Sequence, residues 1–288
     1  MSRVAYVNGR YVPHAQAGIH IDDRGYQFAD GIYEVIAVIR GQFLDEKGHL
    51  DRLERSLGEL RIAMPMDRRV LSHVMRETVR RNGIRSGIVY LQITRGVARR
   101  DHPFPAGVEP SIVVTARRIK GPSAAALEQG IGVVTVRDIR WERRDIKSIS
   151  LLPNILAKQA ARESGAYEAW FVDKDGNVTE GGSTNAWIVT KDGELVTRQL
   201  GNQILGGITR RSLVKLAADA QIKIVERPFS LEEARAAREA FLTSTTSFVT
   251  PITKIDGKPV GTGKPGPVAA RLRELYYGYM GTPEPQPA

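Results

Sequence analysis

The sequence predicts an α+β protein of two domains, and three observations carry that prediction. Strand-like and helix-like stretches are mixed along the chain without the regular βαβα alternation of a doubly wound sheet. No Gly-x-Gly-x-x-Gly opens a helix after a strand, which argues against a Rossmann fold. The run Lys120-Gly121-Pro122-Ser123-Ala124-Ala125-Ala126 breaks the pattern with glycine and proline followed by small residues. The expected layout is an N-terminal domain over 1–119, a linker over 120–130, a C-terminal domain over 131–281 and a disordered tail at 282–288. Clefts at domain junctions are preferred ligand sites, so a ligand is expected between the two domains.

The elements follow in order. Asn8-Gly9 stands between alternating apolar runs, the strongest short hairpin signal. Gly31 to Ile39 is rich in β-branched residues, and Arg40-Gly41-Gln42 turns it into Phe43-Leu44. Leu50, Leu53, Leu57 and Leu60 have helical spacing. A second helix runs from Asp67, a good N-cap, through Val70, Leu71, Val74, Met75 and Thr78 to a stop at Asn82-Gly83. Strands return at Gly87 to Thr94 and at Ser111 to Arg117. Beyond the break, Ile131 to Ile139 reads as a strand and Asn154 to Ser164 as a helix stopped by Gly165. Strands at Ala169 to Val172 and Asn185 to Thr190 flank a turn at Asp173 to Asn177. Helices are expected at Thr209 to Ala220, Leu231 to Arg238 and Val268 to Tyr279, with Ser230 and Glu233 in capping-box spacing. Ile222 to Val225 reads as a short strand.

Composition excludes several classes. The 288 residues are 42% hydrophobic, which is ordinary for a globular protein. There is no cysteine, so neither a disulfide framework nor a thiolate metal site is available, and no other metal site is expected. No apolar run approaches membrane-spanning length, and a soluble cytoplasmic protein is the default. The formal charge of +10 raises the question of nucleic acid. Its arginines are dispersed, however, in pairs such as Arg68-Arg69, Arg80-Arg81 and Arg143-Arg144, without aromatic interleaving. A solvated basic surface explains them, and no nucleic-acid partner is expected.

Some residues carry chemistry. Lys147 is an amine flanked by apolar residues, and Val178-Thr179-Glu180-Gly181-Gly182-Ser183-Thr184-Asn185 follows it. A lysine that condenses with an aldehyde must spend part of its time neutral, which desolvation or nearby positive charge promotes. Pyridoxal phosphate needs such a lysine and also a carboxylate at the far end of its ring, where Glu180 is the candidate. Gly206-Gly207-Ile208-Thr209-Arg210 precedes an amphipathic helix, so free amides and a hydroxyl converge as at a phosphate site. Alone, glycine before a helix is ordinarily a plain turn. Ser244-Thr245-Thr246-Ser247 adds hydroxyls after an apolar strand, and Arg52 lies one position off the leucine stripe of its helix.

The order of these features is more specific than any one of them. Tyr33-Glu34-Val35, His49-Leu50-Asp51-Arg52-Leu53, Lys147, Glu180-Gly181 with Ser183 and Asn185, Gly207-Ile208-Thr209-Arg210 and Ser244-Thr245-Thr246 together resemble the class IV aminotransferases, the fold-type IV pyridoxal phosphate enzymes. The resemblance implies a small N-terminal α+β domain, a larger C-terminal domain with a barrel-like sheet, and a homodimer in which the partner subunit completes the substrate site. It implies that Lys147 forms the Schiff base and Glu180 holds the pyridinium. Arg52, Ser183, Asn185, Ile208, Thr209, Ser244 and Thr245 would bind the rest of the cofactor, with Thr246 on the substrate side.

The stretch Thr94 to Pro105 is most like D-amino-acid transaminases, where an arginine and a histidine, here Arg100 and His102, join a tyrosine, here Tyr33, on the substrate carboxylate. A guanidinium gives charged, forked donors, and imidazole and phenol add directional hydrogen bonds. The implied reaction moves the amino group of a D-amino acid such as D-alanine to a 2-oxoacid such as 2-oxoglutarate or pyruvate, with ping-pong kinetics. The rivals are a branched-chain L-amino-acid transaminase and aminodeoxychorismate lyase. Two positions depart from the pattern. Gly182 stands where the D-amino-acid enzymes commonly have serine, and Gly206 where many members have proline.

Overall fold

The computed structural model describes residues 3–281; the tail expected to be disordered lies outside them. The described chain divides into two compact units. The first runs to Lys120 and also takes Ile146–Leu151, while the second takes Gly121–Asp145 and the described residues from Leu152 onward. Two features of the expected layout change. Residues 121–130 are no linker, because Ser123 accepts the Ala126 amide at 3.1 Å and caps a short helix whose Leu127 is buried. Alanine is the best helix former, and the three alanines after the glycine and proline carry that signal. The segment holding Lys147 belongs to the first unit.

The first unit is a six-stranded sheet with helices on it. Its elements are β1 (Val4–Val7), β2 (Arg10–Pro13), α1 (Arg24–Phe28), β3 (Gly31–Ile39), β4 (Gln42–Phe43), α2 (Glu46–Glu59), α3 (Arg68–Arg81), β5 (Gly87–Thr94) and β6 (Ser111–Arg117). The strands are antiparallel in the order β2-β1-β6-β5-β3-β4. Asn8 and Gly9 take φ of 42° and 92°, the positive pair a two-residue hairpin requires. Leu50, Leu53 and Leu57 of α2 meet Leu71 and Met75 of α3 and Ile32, Ile36, Val89 and Leu91 of the sheet in one core. Full burial of each such side chain contributes about 1.5–3 kcal/mol. Asp67 accepts the Arg69 amide at 2.7 Å as the expected N-cap of α3.

The second unit contains α4 (Ala124–Gln129), β7 (Ile131–Arg137), α5 (Leu152–Glu163), β8 (Glu168–Val172), β9 (Val178–Gly181), β10 (Asn185–Val189), β11 (Leu195–Thr197), α6 (Ile208–Asp219), β12 (Ile224–Glu226), α7 (Leu231–Arg235), β13 (Glu239–Ser244), β14 (Phe248–Ile255), β15 (Lys258–Pro259) and α8 (Pro267–Met280). Among the described residues its sheet has nine strands, in the order β12-β11-β10-β13-β14-β7-β8-β9 with β15 on β14, and it curls into a half-barrel. Trp170, Phe229, Ile188, Leu242 and Ile252 form its core. Trp187 stacks on Phe241 at 5.5 Å and donates to Thr243 at 3.0 Å.

Four strands have no counterpart in the expected element order. β9, β11 and β15 are too short for a period to show. β14 contains Pro251, which ordinarily demotes a strand. It is nevertheless paired on both sides, because its ladder to β7 starts at Ile252 and is irregular before Lys254.

Gly96, just after β5, has φ of 104°, and an added Cβ would lie 2.0 Å from the Glu109 carbonyl oxygen. Gly96→Ala is therefore expected to destabilise the protein by about 1–3 kcal/mol, read as a lowered midpoint in urea unfolding.

Candidate active site

Lys147 is held by backbone bonds to the start of β3. The Tyr33 amide donates to the Lys147 carbonyl and the Ile149 amide to the Gly31 carbonyl, each at 3.0 Å. Ile146 anchors the segment in the first core. The Lys147 side chain is half-buried, and its Nζ lies 4.2 Å from the centre of the Tyr33 ring. Among the described residues this amine makes no hydrogen bond and no ion pair. Tyr33 in turn stacks on Tyr90 at 5.8 Å.

Successive side chains of a strand point to opposite faces, so Glu34 goes where Tyr33 does not. It is fully buried, and it accepts from Arg52 Nε at 2.7 Å and Arg52 Nη2 at 2.8 Å, with His49 Nδ1 at 2.8 Å. His49 and Arg52 are three residues apart on α2 and share a helix face. Arg52 is therefore no ordinary surface charge: it is a partly buried guanidinium pinned by a carboxylate. Burial would raise the Glu34 carboxyl, but Arg52 and His49 outweigh it and hold it at about 2. Burial lowers the His49 imidazole below its ordinary value, with Glu34 opposing.

Arg100 and His102 lie on the loop after β5, and both are exposed. The Arg100 guanidinium sits 4.9 Å from the Phe28 ring centre and the His102 ring 5.6 Å from it. Within the chain, no hydrogen bond or ring contact among the described residues joins either to Tyr33.

In the second unit Glu180 stands on β9, buried, with three kinds of donor on it. Arg140 Nη1 reaches Oε1 at 2.6 Å, while the Leu205 amide at 3.1 Å and Asn185 Nδ2 at 3.3 Å reach Oε2. Burial pushes the Glu180 carboxyl upward, against Arg140 and the Leu205 amide. Arg140 is fixed by Asp138 through Nε at 3.0 Å and Nη2 at 2.8 Å, and it lies over the Phe171 ring at 4.1 Å. Burial lowers the Arg140 guanidinium, yet Glu180 and Asp138 more than offset this and raise it. Asn185 Nδ2 also donates to the Leu205 carbonyl at 3.0 Å, tying Glu180 to the loop before α6.

That loop ends at Gly207, the N-cap of α6, whose first-turn amides receive no side-chain cap. A Cβ on Gly207 would fall 2.0 Å from Asn185 Oδ1, so the close approach demands glycine. Ile208 and Thr209 follow, both buried. An uncapped helix start with a hydroxyl suits a phosphate. Gly206 is different, since a Cβ there would meet only Leu200 at 3.7 Å and a larger residue fits. Ser244, at the end of β13, accepts the Ser247 amide at 3.0 Å and the Thr246 amide at 3.3 Å, a turn that holds Thr245 at its apex.

Gly182 also has a local reason. A Cβ there would meet Glu168 Oε1 at 2.9 Å and Lys158 Cδ at 3.0 Å. The Lys158 side chain crosses this position to reach Glu168 at 3.1 Å, filling the space a serine would use. Ser183 is exposed, and its hydroxyl donates to Glu168 at 3.1 Å. Its hydrogen is thus committed to the protein, and only its acceptor capacity is left for a cofactor.

The comparisons with known proteins bear directly on this arrangement. A sequence profile described as amino-transferase class IV matches residues 31–255. This chain belongs to that family. It is an aminotransferase. It is 41% identical over 276 residues to a D-alanine aminotransferase of Staphylococcus aureus (strain MSSA476), covering 96% of this chain and 97% of that one. It is 38% identical to a D-alanine aminotransferase of Bacillus licheniformis, covering 92% and 93%. Among solved structures, a branched-chain amino acid aminotransferase of Escherichia coli aligns with a TM-score of 0.90 at 26% identity, over 99% of this chain and 97% of that one. A T.th. branched-chain amino acid aminotransferase with pyridoxamine 5'-phosphate aligns with a TM-score of 0.89 at 27% identity, over 97% and 94%.

Sequence reading missed Arg140, Asp138, His49 and the role of Glu34. Glu34 carried a usable signal: a carboxylate inside a β-branched strand must be paired if it faces the core, and His49 and Arg52 offered the partners. Asp138 and Arg140 lay in a stretch read as strand end, with no pattern to connect them to Glu180.

The buried ions make stability depend on pH. The unfolded chain takes up a proton on His49 below about 6.5 that the folded chain resists, and takes one up on Glu34 from 4.5 while the folded carboxyl waits until about 2. Through these two groups stability falls in both windows as pH drops, while Glu180, whose carboxyl burial raises, acts in the opposite sense. Glu34→Gln should flatten the lower window, worth on the order of 3 kcal/mol, in urea unfolding followed from pH 7 to pH 3. Arg140→Met leaves Asp138 and Glu180 without their main cation and should cost about 3–5 kcal/mol, measured the same way at pH 7.

Proposed function

We propose that this aminotransferase acts on D-amino acids, moving the amino group of D-alanine or a close analogue to a 2-oxoacid such as 2-oxoglutarate or pyruvate. Its cofactor is pyridoxal phosphate. The observation that carries the reading is Lys147, a half-buried amine that no carboxylate neutralises and that rests over Tyr33. The residues present fit the cofactor. Lys147 offers a nucleophilic nitrogen, Glu180 a buried acid already oriented by Arg140 and Asn185, and the uncapped start of α6 a place for an anion.

When bound, the cofactor supplies an electron sink for the charge left as a proton leaves the substrate α-carbon. Lys147 would carry it through Nζ, and the same nitrogen, as a free base, would accept the proton from the substrate α-carbon. Glu180 would keep the ring nitrogen protonated, with Arg140 and Asn185 fixing its direction. Arg52, Ile208, Thr209, Ser244 and Thr245 would hold the phosphate, Ser183 and Asn185 would line the ring side, and Thr246 would face substrate. Tyr33, Arg100 and His102 would bind the substrate carboxylate. Arg100 and His102 are exposed and reach no Tyr33 within their own chain, which fits a homodimer in which they serve the partner's site. The exposed apolar residues Leu152, Ile155 and Leu156 on α5 support such an assembly. Cytoplasmic location belongs to the same proposal; among the described residues no helix is long and apolar enough to cross a membrane.

Preference for D-substrates rests on the D-alanine aminotransferase relatives and on Arg100-Asp101-His102. The branched-chain structures share the fold at lower identity. Purified protein given 2-oxoglutarate should form pyruvate from D-alanine and leave L-leucine untouched; turnover of L-leucine alone would overturn the assignment. Lys147→Ala should slow transamination by about 10²–10⁴-fold and lose all cofactor trapped on the chain by borohydride, read by mass spectrometry of the peptide carrying position 147.

A further inference from the structure

The Arg100–His102 loop is held in an unusual way. Its start is stitched to the chain before α1, with the Arg24 amide on the Gly96 carbonyl at 2.9 Å and the Ala98 amide on the Asp22 carbonyl at 3.2 Å. Its centre is held by one side chain. Arg24 is 3% exposed, and its guanidinium donates to the carbonyls of Asp101 and of His102, the latter at 3.2 Å. The remaining edge of that fork donates through Nε to Asp30 at 2.9 Å. Asp30 is shared with Arg95 at 2.7 and 2.9 Å, and Arg95 lies 3.6 Å from the centre of the Phe104 ring, at the loop's far end. The contacts that touch the side chains of Arg100 and His102 converge on Phe28, whose ring also receives Arg24 at 4.8 Å.

We propose that Arg24, Phe28 and Asp30 are the positioning group of the carboxylate-binding pair: Asp30 orients Arg24, Arg24 fixes the backbone between Arg100 and His102, and Phe28 aligns their side chains. The proposal rests on the carboxylate reading of Arg100 and His102. Its physical basis is preorganisation. Freezing long exposed side chains costs conformational entropy, and a loop already set in its binding shape no longer incurs that cost when substrate arrives. A guanidinium is suited to the task because its rigid fork can hold two successive carbonyls and a carboxylate at once. A loop that needed only to be covered could be tied down by its ends, which the Gly96 and Ala98 bonds already do.

The test is a double-mutant cycle. Arg24→Met, Arg100→Ala and the double variant are assayed with D-alanine, and amide hydrogen exchange over residues 98–105 is followed in each. Arg24→Met should raise KM for D-alanine by about 10-fold or more with kcat little changed, should speed exchange in that loop, and should have a clearly smaller effect in the Arg100→Ala background, where only the share carried by His102 is left. Arg24→Lys, which keeps the ion pair with Asp30 and loses the fork, and Phe28→Leu should show the same pattern in milder form. These two carry the test if Arg24→Met does not fold. Independent, multiplying effects in the cycle, or an unchanged KM in all three Arg24 and Phe28 variants, would overturn the proposal. An unchanged KM in Arg100→Ala itself would instead overturn the carboxylate reading beneath it.

Discussion

A carboxylate taken out of water must meet a cation, and in this chain that demand fixes the direction of the charged side chains packed around the candidate site. Glu34 pins Arg52, Asp30 pins Arg24 and Arg95, and Asp138 pins Arg140, which in turn orients Glu180. Breaking such a pair exposes the survivor to the full cost of desolvation, so each guanidinium is confined to one geometry. The pairs contribute little net stability compared with apolar packing. What they supply is direction, in places where a loop or a helix face would otherwise leave a long side chain free.

This also changes the meaning of the net positive charge. The dispersed arginines read as a solvated surface in the sequence, and Arg76, Arg80 and Arg81 do lie there, beside Glu46 and Glu77. Others are interior. Arg24, Arg95, Arg198 and Arg210 are almost wholly withdrawn, and each donates to a backbone carbonyl or to an acid, Arg198 reaching Gln203 as well. The charge is therefore partly architectural, and the sequence gives no sign of which arginines are which until the carboxylates they meet are known.

The fold was legible wherever a period or a cap could be read. Asn8-Gly9, β3, α3 with its Asp67 cap, β5 and β6 follow directly from local rules, and Ser230 caps α7 as its spacing implies. Glu233 departs from the capping-box expectation in one respect, since its carboxylate goes to Arg227 at 2.5 Å. The candidate site was legible as an ordered set of motifs, from Tyr33 to Thr246. What supports each motif was not legible, because the supporting residue is distant in sequence: Glu180 and Arg140 are 40 positions apart, and Arg24 lies 77 from Asp101. Short strands such as β11 failed for a simpler reason, since three residues cannot display an alternation.

The crossing of Lys158 over Gly182 couples the two positions in any redesign. A hydroxymethyl group at 182 would require the aliphatic stem to swing aside, whereas shortening that stem would leave the acid at 168 still held by the Ala169 amide and by Ser183. Bulk at one position is therefore most easily accommodated by giving up length at the other.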